Sequence, residues 1–270
     1  MATKIITDTK YILNKNLSII VLYINIFFSL ANFINNVKVN YDRIYISEMY
    51  EISKLLLLSD WSAFGFFYMI IFPLIVVLPT YSLIMNDIKS GMKSYIIVRA
   101  NNYFFRIVSV FISTFILFFF PLFIEWLLSI ICFEVSANGD PSNFPYYITA
   151  NEYIIYPLSR IYSWNKLFYS LLWIIIFSCI CGVFAVINLS ISTILKFKYR
   201  IFAMLPVYLM LNCVSALDSV NKRGYTYNYI NMLRMFSYGK KNYLISTVVI
   251  IFILIISIIL FVKDVKKSEF

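Results

Sequence analysis

Histidine is absent from this 270-residue chain, and glycine is rare, with only six residues. Without histidine the chain cannot form an HExxH zinc site, a Ser-His catalytic pair or a His-ligated haem. No GxxxxGK[ST] run occurs either, so a phosphate-binding loop for ATP is missing. We therefore expect the chain to carry no metal or cofactor, to be no enzyme, and to hydrolyse no ATP by itself.

Charged residues are also scarce, at 13% of the chain against about 25% in ordinary soluble domains. In their place 61% of the residues are hydrophobic and 19% aromatic, and the mean hydropathy is +0.82. The apolar residues are gathered into runs long enough to cross a bilayer as a helix, which takes about 20 residues. These runs lack the polar–apolar alternation of membrane strands. The composition predicts an all-α, multi-pass membrane protein.

Six apolar runs are predicted to be transmembrane helices within a single transmembrane domain covering residues 1–270. They are residues 17–35, 63–84, 105–133, 167–195, 201–217 and 243–262. Between the first two runs, residues 36–62 carry apolar side chains at near-helical spacing, which predicts a short interfacial helix. An even number of spans leaves both termini on the same side of the membrane.

The distribution of basic residues indicates which side that is. Thirteen of the 23 basic residues lie on short connections on the side of the termini, and these are Lys4, Lys10, Lys15, Lys89, Lys93, Arg99, Arg106, Lys196, Lys198, Arg200, Lys263, Lys266 and Lys267. The positive-inside rule therefore predicts cytoplasmic N and C termini. Residues 218–242 oppose this prediction, because they carry five basic residues and yet fall outside. The net charge of +10 is explained by topology and anionic lipid, and no nucleic-acid partner is expected.

The connection between the second and third predicted spans has the most distinctive pattern. An apolar helix holding Pro73 and Pro79 ends at Asp87, and charged residues, a glycine break and a short apolar stretch follow. In order, the residues after Asp87 are Lys89, Ser90, Gly91, Lys93, the stretch Tyr95, Ile96, Ile97 and Val98, then Arg99, Asn101, Asn102, Tyr103 and Arg106. This order indicates a short amphipathic segment at the cytoplasmic surface, where a soluble partner can bind it.

This pattern resembles the membrane subunits of ABC-2 type ABC transporters, particularly the small six-span permeases of low-GC Gram-positive bacteria. In those proteins a span ends in an acidic residue, and Lys-Ser-Gly, a leucine- or isoleucine-rich stretch, an arginine and a Tyr-x-x-Lys/Arg motif follow. The resemblance implies that residues 86–104 contain the coupling helix, which inserts into a groove of a separate ATPase subunit. The implied coupling residues are Asp87, Lys89, Gly91, Lys93, Tyr95, Ile96, Ile97 and Arg99.

The same resemblance implies a plan for the whole chain. The fold would be the ABC-2 exporter-like (type V) fold, with residues 1–15 as an interfacial elbow helix that carries Ile5, Ile6, Ile12 and Leu13 on one side. The long segment after the fifth span would be an external helical hairpin. The protein would lie in the bacterial cytoplasmic membrane as a homodimer or beside a related six-span permease. It would export a hydrophobic or amphipathic substrate (a peptide, antibiotic or lipid-like molecule), with ATP bound on the partner ATPase.

One acidic residue, Glu125, lies inside the third predicted span, near its outer end. An ionisable side chain in a transmembrane segment is costly and by default marks a functional position. A role in translocation or gating is therefore one hypothesis for Glu125. The other is that Glu125 lies at the membrane interface and pairs with a Lys or Arg of a loop.

Two other classes of function stay open. A standalone membrane protein, such as an immunity or scaffold protein, would bind a partner without powering transport. The substrate-binding component of a vitamin-type importer also has about six spans, but it is not expected to carry the pattern of residues 87–106. An ATPase partner separates the permease from the standalone protein.

Overall fold

The computed structural model of the chain describes residues 2–38, 52–59, 62–80, 83, 86–87, 91, 104–132, 158–194, 200–216, 225–236, 240–241 and 243–267. The helices are α1 (Ala2–Leu13), α2 (Asn16–Asn32, continued by a π-helical turn at Phe33–Lys38), α3 (Ile52–Leu55), α4 (Ala63–Ile75), α5 (Phe105–Cys132), α6 (Ser159–Trp164), α7 (Lys166–Ile194), α8 (Leu205–Ala216, preceded by a 3-10 turn at Arg200–Met204), α9 (Tyr229–Met232) and α10 (Tyr243–Lys267). Two short segments, β1 (Tyr225–Thr226) and β2 (Lys240–Lys241), pair in parallel. The predicted helical class is confirmed.

Four of the six predicted runs form helices that are long and apolar enough to cross a membrane. These stretches are Asn16–Val37, Phe105–Ile131, Lys166–Ser192 and Ser246–Lys263. The other two runs form the shorter apolar helices Ala63–Ile75 and Phe202–Ala216. The protein is therefore a helical protein with at least four helices suited to a lipid environment.

Within the second predicted span, helix α4 ends at Ile75, and residues 76–80 form turns before the chain is again helical at Leu83. Pro79 has no N–H group, so it cannot donate to the carbonyl of Ile75 as the next turn of an α-helix requires. The chain continues instead through turns, in which Thr80 N–H donates to Val77 at 3.1 Å.

Helices α5 and α7 form the centre of the bundle and run in opposite directions. Near one end Trp126 Nε1 donates to Ser170 Oγ at 2.9 Å, and farther along Phe111 packs against Gly182. A Cβ atom at Gly182 would lie 2.7 Å from the ring of Phe111, so the missing side chain allows this close approach. Helices α1 and α2 pack on α5, α4 packs on α2, and α10 packs on α7.

Helix α2 has polar side chains on its inner face and apolar ones on its outer face. Its buried residues include Ser18, Asn25, Ser29 and Asn32. Its exposed large side chains are apolar and include Ile19, Ile20, Tyr23, Phe27 and Leu30. This polarity is the reverse of that of a helix on the surface of a soluble protein, and it suits a helix whose outer face contacts lipid.

Helix α1 lies against the start of α5, and its buried residues are Asp8, Thr9 and Ile12. Asp8 on this packed side pairs with Arg106 of α5. Ile6, which was predicted to share a face with Ile12, is 55% exposed. The ion pair therefore decides which face of α1 turns inward.

Candidate functional site

An arginine and two aspartates join three parts of the chain at one end of the bundle, which we call the α1 end. Arg106 of α5 donates from Nη2 to Asp87 Oδ2 at 2.6 Å and from Nη1 to Asp8 Oδ1 of α1. All three side chains are buried, and the ring of Tyr11 lies 5.7 Å from the guanidinium carbon. Buried charges are stable only when they are paired and hydrogen-bonded. The cluster therefore fixes α1, the end of the second predicted span and the start of α5 to one another.

The structure describes two of the predicted coupling residues, Asp87 and Gly91. The side chain of Asp87 points into the bundle toward Arg106. Gly91 is exposed and has a φ of +68°, in the left-handed region that favours glycine. The other predicted coupling residues, Lys89, Lys93, Tyr95, Ile96, Ile97 and Arg99, lie outside the described residues.

Glu125 lies at the centre of a second buried cluster, at the other end of the bundle, which we call the Glu125 end. Its Oε1 accepts from Asn32 Nδ2 of α2 at 2.6 Å and from the backbone N–H of Leu57 at 3.0 Å. The side chain is only 1% exposed. Within the described part of the chain, the groups that donate to Glu125 are an amide and a backbone N–H rather than the Lys or Arg that one sequence hypothesis proposed.

The side chain of Asn32 connects α2 to this cluster. Its Nδ2 also donates to the Leu55 carbonyl at 2.9 Å, and its Oδ1 accepts from Ser62 Oγ and, at 2.7 Å, from Asn36 Nδ2. Ser62 is in turn the N-cap of α4, where its Oγ accepts from the N–H of Gly65 at 2.8 Å. One asparagine side chain thus connects three parts of the chain: the end of α2, helix α5, and the segment that precedes α4.

A further layer of chain covers the Glu125 end. The N–H of Met235 donates to the Leu58 carbonyl at 2.9 Å, and Trp173 Nε1 of α7 donates to the Leu233 carbonyl at 3.1 Å. Of the segment predicted to be an external helical hairpin, residues 225–236 are described, and they hold β1, the four-residue helix α9 and a series of bends. Burial, with a smaller effect from neighbouring Tyr208, raises the pKa of the Tyr229 hydroxyl above its usual value, so this hydroxyl stays neutral.

The two clusters lie on the same helix, 19 residues apart on α5. At a rise of 1.5 Å per residue, this separation corresponds to about 28 Å along the helix axis. The hydrocarbon core of a bilayer is about 30 Å thick. The two buried ionisable residues of α5 are therefore separated by a distance close to that thickness, and the stretch between them is apolar except for serines and one threonine.

Three residues of these clusters were not predicted from the sequence as site residues: Asp8, Asn32 and Arg106. The signal for Asn32 is present in α2, where Asn25, Ser29 and Asn32 recur at helical spacing within an apolar run. Polar side chains so spaced mark a helix face that packs inside a membrane bundle. The burial of Asp8 has no such local signal, because it depends on a partner almost 100 residues away in the chain.

Comparisons with known proteins return no relative of this chain: no family model, no curated protein and no solved structure matches it.

Proposed function

We propose that the chain is the membrane subunit of an ABC-2 type ABC transporter. In this proposal a separate ATPase subunit binds ATP and engages residues 86–104, and the chain forms the pathway as a homodimer or with a related six-span permease. The pattern that follows Asp87 in the sequence supports the assignment. The proposed substrate is hydrophobic or amphipathic, and the proposed direction is export from the bacterial cytoplasm.

The observation that carries the proposal is the ion pair between Asp87 and Arg106. These residues are 19 positions apart in the chain, yet their side chains are 2.6 Å apart and buried. The pair therefore closes the predicted coupling segment into a loop whose two ends are fixed to each other and, through Asp8, to α1. A partner that moves such a loop also moves α1 and α5, which is the mechanical link that a coupling segment requires.

Contacts at the two ends of the bundle support six crossings. Ser62 is joined to Asn32 at the Glu125 end and Asp87 is joined to Arg106 at the α1 end, so the chain between them covers the distance between the two clusters. Helix α10 packs Tyr243 on Trp173 near the Glu125 end and Phe261 with Phe105 at the α1 end. The N–H of Tyr229 donates to Ser215 Oγ at 3.3 Å, which joins the end of α8 to the segment that covers the Glu125 end. The basic residues gathered at the α1 end favour a cytoplasmic location for it.

The topology is tested by single cysteines and a membrane-impermeant maleimide in intact cells. We expect a cysteine at Lys241 or at the exposed position Arg160 to be labelled directly, and a cysteine at the exposed position Lys4 only after permeabilisation. The Arg160 variant is the control for outside exposure. Protection of a cysteine at Lys241 would contradict the six-span topology.

The function is tested by replacing Ile96 and Ile97 with aspartate. Small docking segments depend on a few apolar anchors, each worth more than about 1 kcal/mol, so the double variant should no longer co-purify its ATPase or stimulate it. The matched control is Ile6→Asp at an exposed position of α1, outside residues 86–104, which should leave ATPase binding intact. Gly91→Pro is a second variant of the segment, because proline cannot adopt a φ of +68°.

Each outcome separates the candidate functions. An ATPase that co-purifies with the parent and not with Ile96→Asp/Ile97→Asp supports the permease. A parent chain that binds no ATPase favours the standalone immunity or scaffold protein. An ATPase that stays bound and fully coupled in the double variant would show that residues 86–104 are only a charged cytoplasmic loop.

A further inference from the structure

Residues 52–59 form a short leucine-rich segment that lies inside the Glu125 end of the bundle, and we call it the plug. Its four consecutive leucines, Leu55, Leu56, Leu57 and Leu58, are each 5% exposed or less. Leu56 and its two neighbours on the C-terminal side join the same apolar core as Tyr169 and Trp173 of α7. The plug thus fills the space between helices rather than lying on their surface.

The second half of the plug is not helical, since the helical turn Ile52–Leu55 is followed by bends and turns. Non-helical backbone inside a membrane protein is stable only where other groups satisfy its N–H and C=O groups. Here three different elements do so: Glu125 accepts from the N–H of Leu57, Asn32 donates to the carbonyl of Leu55, and Met235 donates to the carbonyl of Leu58. These three backbone contacts therefore come from α5, α2 and the segment after α9.

A close backbone contact holds the plug against α4. A Cβ atom added at Gly65 would overlap the carbonyl oxygen of Leu57. The N–H of Gly65 is meanwhile bound to Ser62 Oγ, so the start of α4 cannot easily move away. Glycine at this position lets the plug lie directly on the helix.

We propose that the plug is the closed outer gate of the pathway, and that Glu125 is the clamp that holds it shut. This inference rests on the proposed transport function, because a gate matters only where a path opens. Moving α2 away from α5 separates Asn32 from Glu125 and removes the donor to the Leu55 carbonyl, so of the three backbone contacts those with Glu125 and Met235 remain. The carboxylate acts as an acceptor for Leu57, so an acceptor oxygen rather than a negative charge is what closure requires.

The clamp is tested by the rate at which a membrane-impermeant maleimide labels Leu57→Cys in a chain whose native cysteines are replaced by serine. We expect Glu125→Leu to raise this rate at least about tenfold, because it removes the acceptor. Glu125→Gln should stay within about threefold of the parent, because its amide oxygen still accepts from Leu57 and Asn32. A cysteine at the buried position Val110, near the α1 end, should stay slow in all variants.

Gly65→Ala provides a second route to the same state, since it displaces the plug without altering Glu125. It should also speed labelling at residue 57 and leave residue 110 slow. If neither Glu125→Leu nor Gly65→Ala raises labelling at 57 above that at 110, the clamp is wrong. If Glu125→Gln opens the plug as far as Glu125→Leu, charge and not acceptor geometry holds it, and the clamp as stated is also wrong.

The gate is tested in proteoliposomes that contain the chain and its ATPase. Labelling at residue 57 should be faster during ATP turnover than without nucleotide, whereas an unchanged rate would make the plug a static part of the fold. Failure of an ATPase to bind would refute the proposed function instead. The labelling of Glu125→Leu and Gly65→Ala without ATP would still show whether Glu125 holds the plug in place. The two failures are therefore distinguishable.

Discussion

Replacing Arg106 with methionine should strongly lower the stability of the protein. The change leaves the carboxylates of Asp8 and Asp87 buried beside each other without their shared cation. Removing one partner of a buried ion pair typically costs about 3–5 kcal/mol. We expect a correspondingly lower midpoint of thermal unfolding in detergent and a lower steady-state amount of the protein in membranes.

Matched variants separate the loss of charge from the loss of geometry. Arg106→Lys keeps the positive charge but not the planar fork that reaches two carboxylates, so its stability should lie between those of the parent and Arg106→Met. Adding Asp8→Asn and Asp87→Asn to Arg106→Met removes the unpaired charges and should recover part of the lost stability. An Arg106→Met protein that unfolds at the midpoint of the parent would show that the cluster does not hold these three segments together.

The long helices of this fold were predictable because lipid imposes a simple rule on them. A run of apolar residues as long as the bilayer is thick must satisfy its backbone internally, so the third run, residues 105–133, becomes the helix Phe105–Cys132. In the second run, which is also apolar, helix α4 ends at Ile75 and turns follow at residues 76–80. There the position of Pro79, which interrupts backbone hydrogen bonding, outweighs hydropathy, and a window average does not register a single missing N–H.

The burial of particular charges was less predictable, because it depends on contacts between distant parts of the chain. Arg234 counts against the predicted topology when it is treated as a solvated loop residue, yet its side chain is 4% exposed and its guanidinium lies over the ring of Phe66 at 5.6 Å. Asp8 belongs to an amphipathic helix in the sequence and to a buried ion pair in the fold. Counting charges cannot distinguish these environments.

The presence of Glu125 inside a predicted span was visible in the sequence, but the residues that surround it were not predicted. An acidic residue in an apolar run is visible in any sequence, and its cost justifies a functional hypothesis. Its partners, Asn32 and the N–H of Leu57, are separated from it by 93 and 68 positions in the chain. The leucines at 55–58 looked like part of an interfacial helix, since nothing local indicates that their backbone is held inside the bundle.

At Pro121 the helix α5 depends on a hydrogen bond from another helix, and this dependence can be measured. It lies inside α5 and has no N–H, so the carbonyl of Leu117, four residues earlier, loses its helical donor. Asn25 of α2 supplies the missing donor, with Nδ2 2.9 Å from that carbonyl oxygen, and its own Oδ1 accepts from the hydroxyl of Tyr68 on α4 at 3.1 Å. One buried amide therefore supplies the donor that is missing at Pro121 and connects three helices.

Asn25→Leu should destabilise the protein by about 2 kcal/mol, because it leaves the Leu117 carbonyl and the Tyr68 hydroxyl buried without these partners. In a Pro121→Ala background the N–H of residue 121 can donate to Leu117, so the same substitution should cost about 1 kcal/mol less. The measurement is a double-mutant cycle on unfolding in detergent, with Asn212→Leu as the matched control. Asn212 is exposed and donates to Tyr208 of its own helix, so its replacement should have almost no effect. An equal cost of Asn25→Leu in both backgrounds would contradict the repair of the proline break, because the two positions would then be energetically independent.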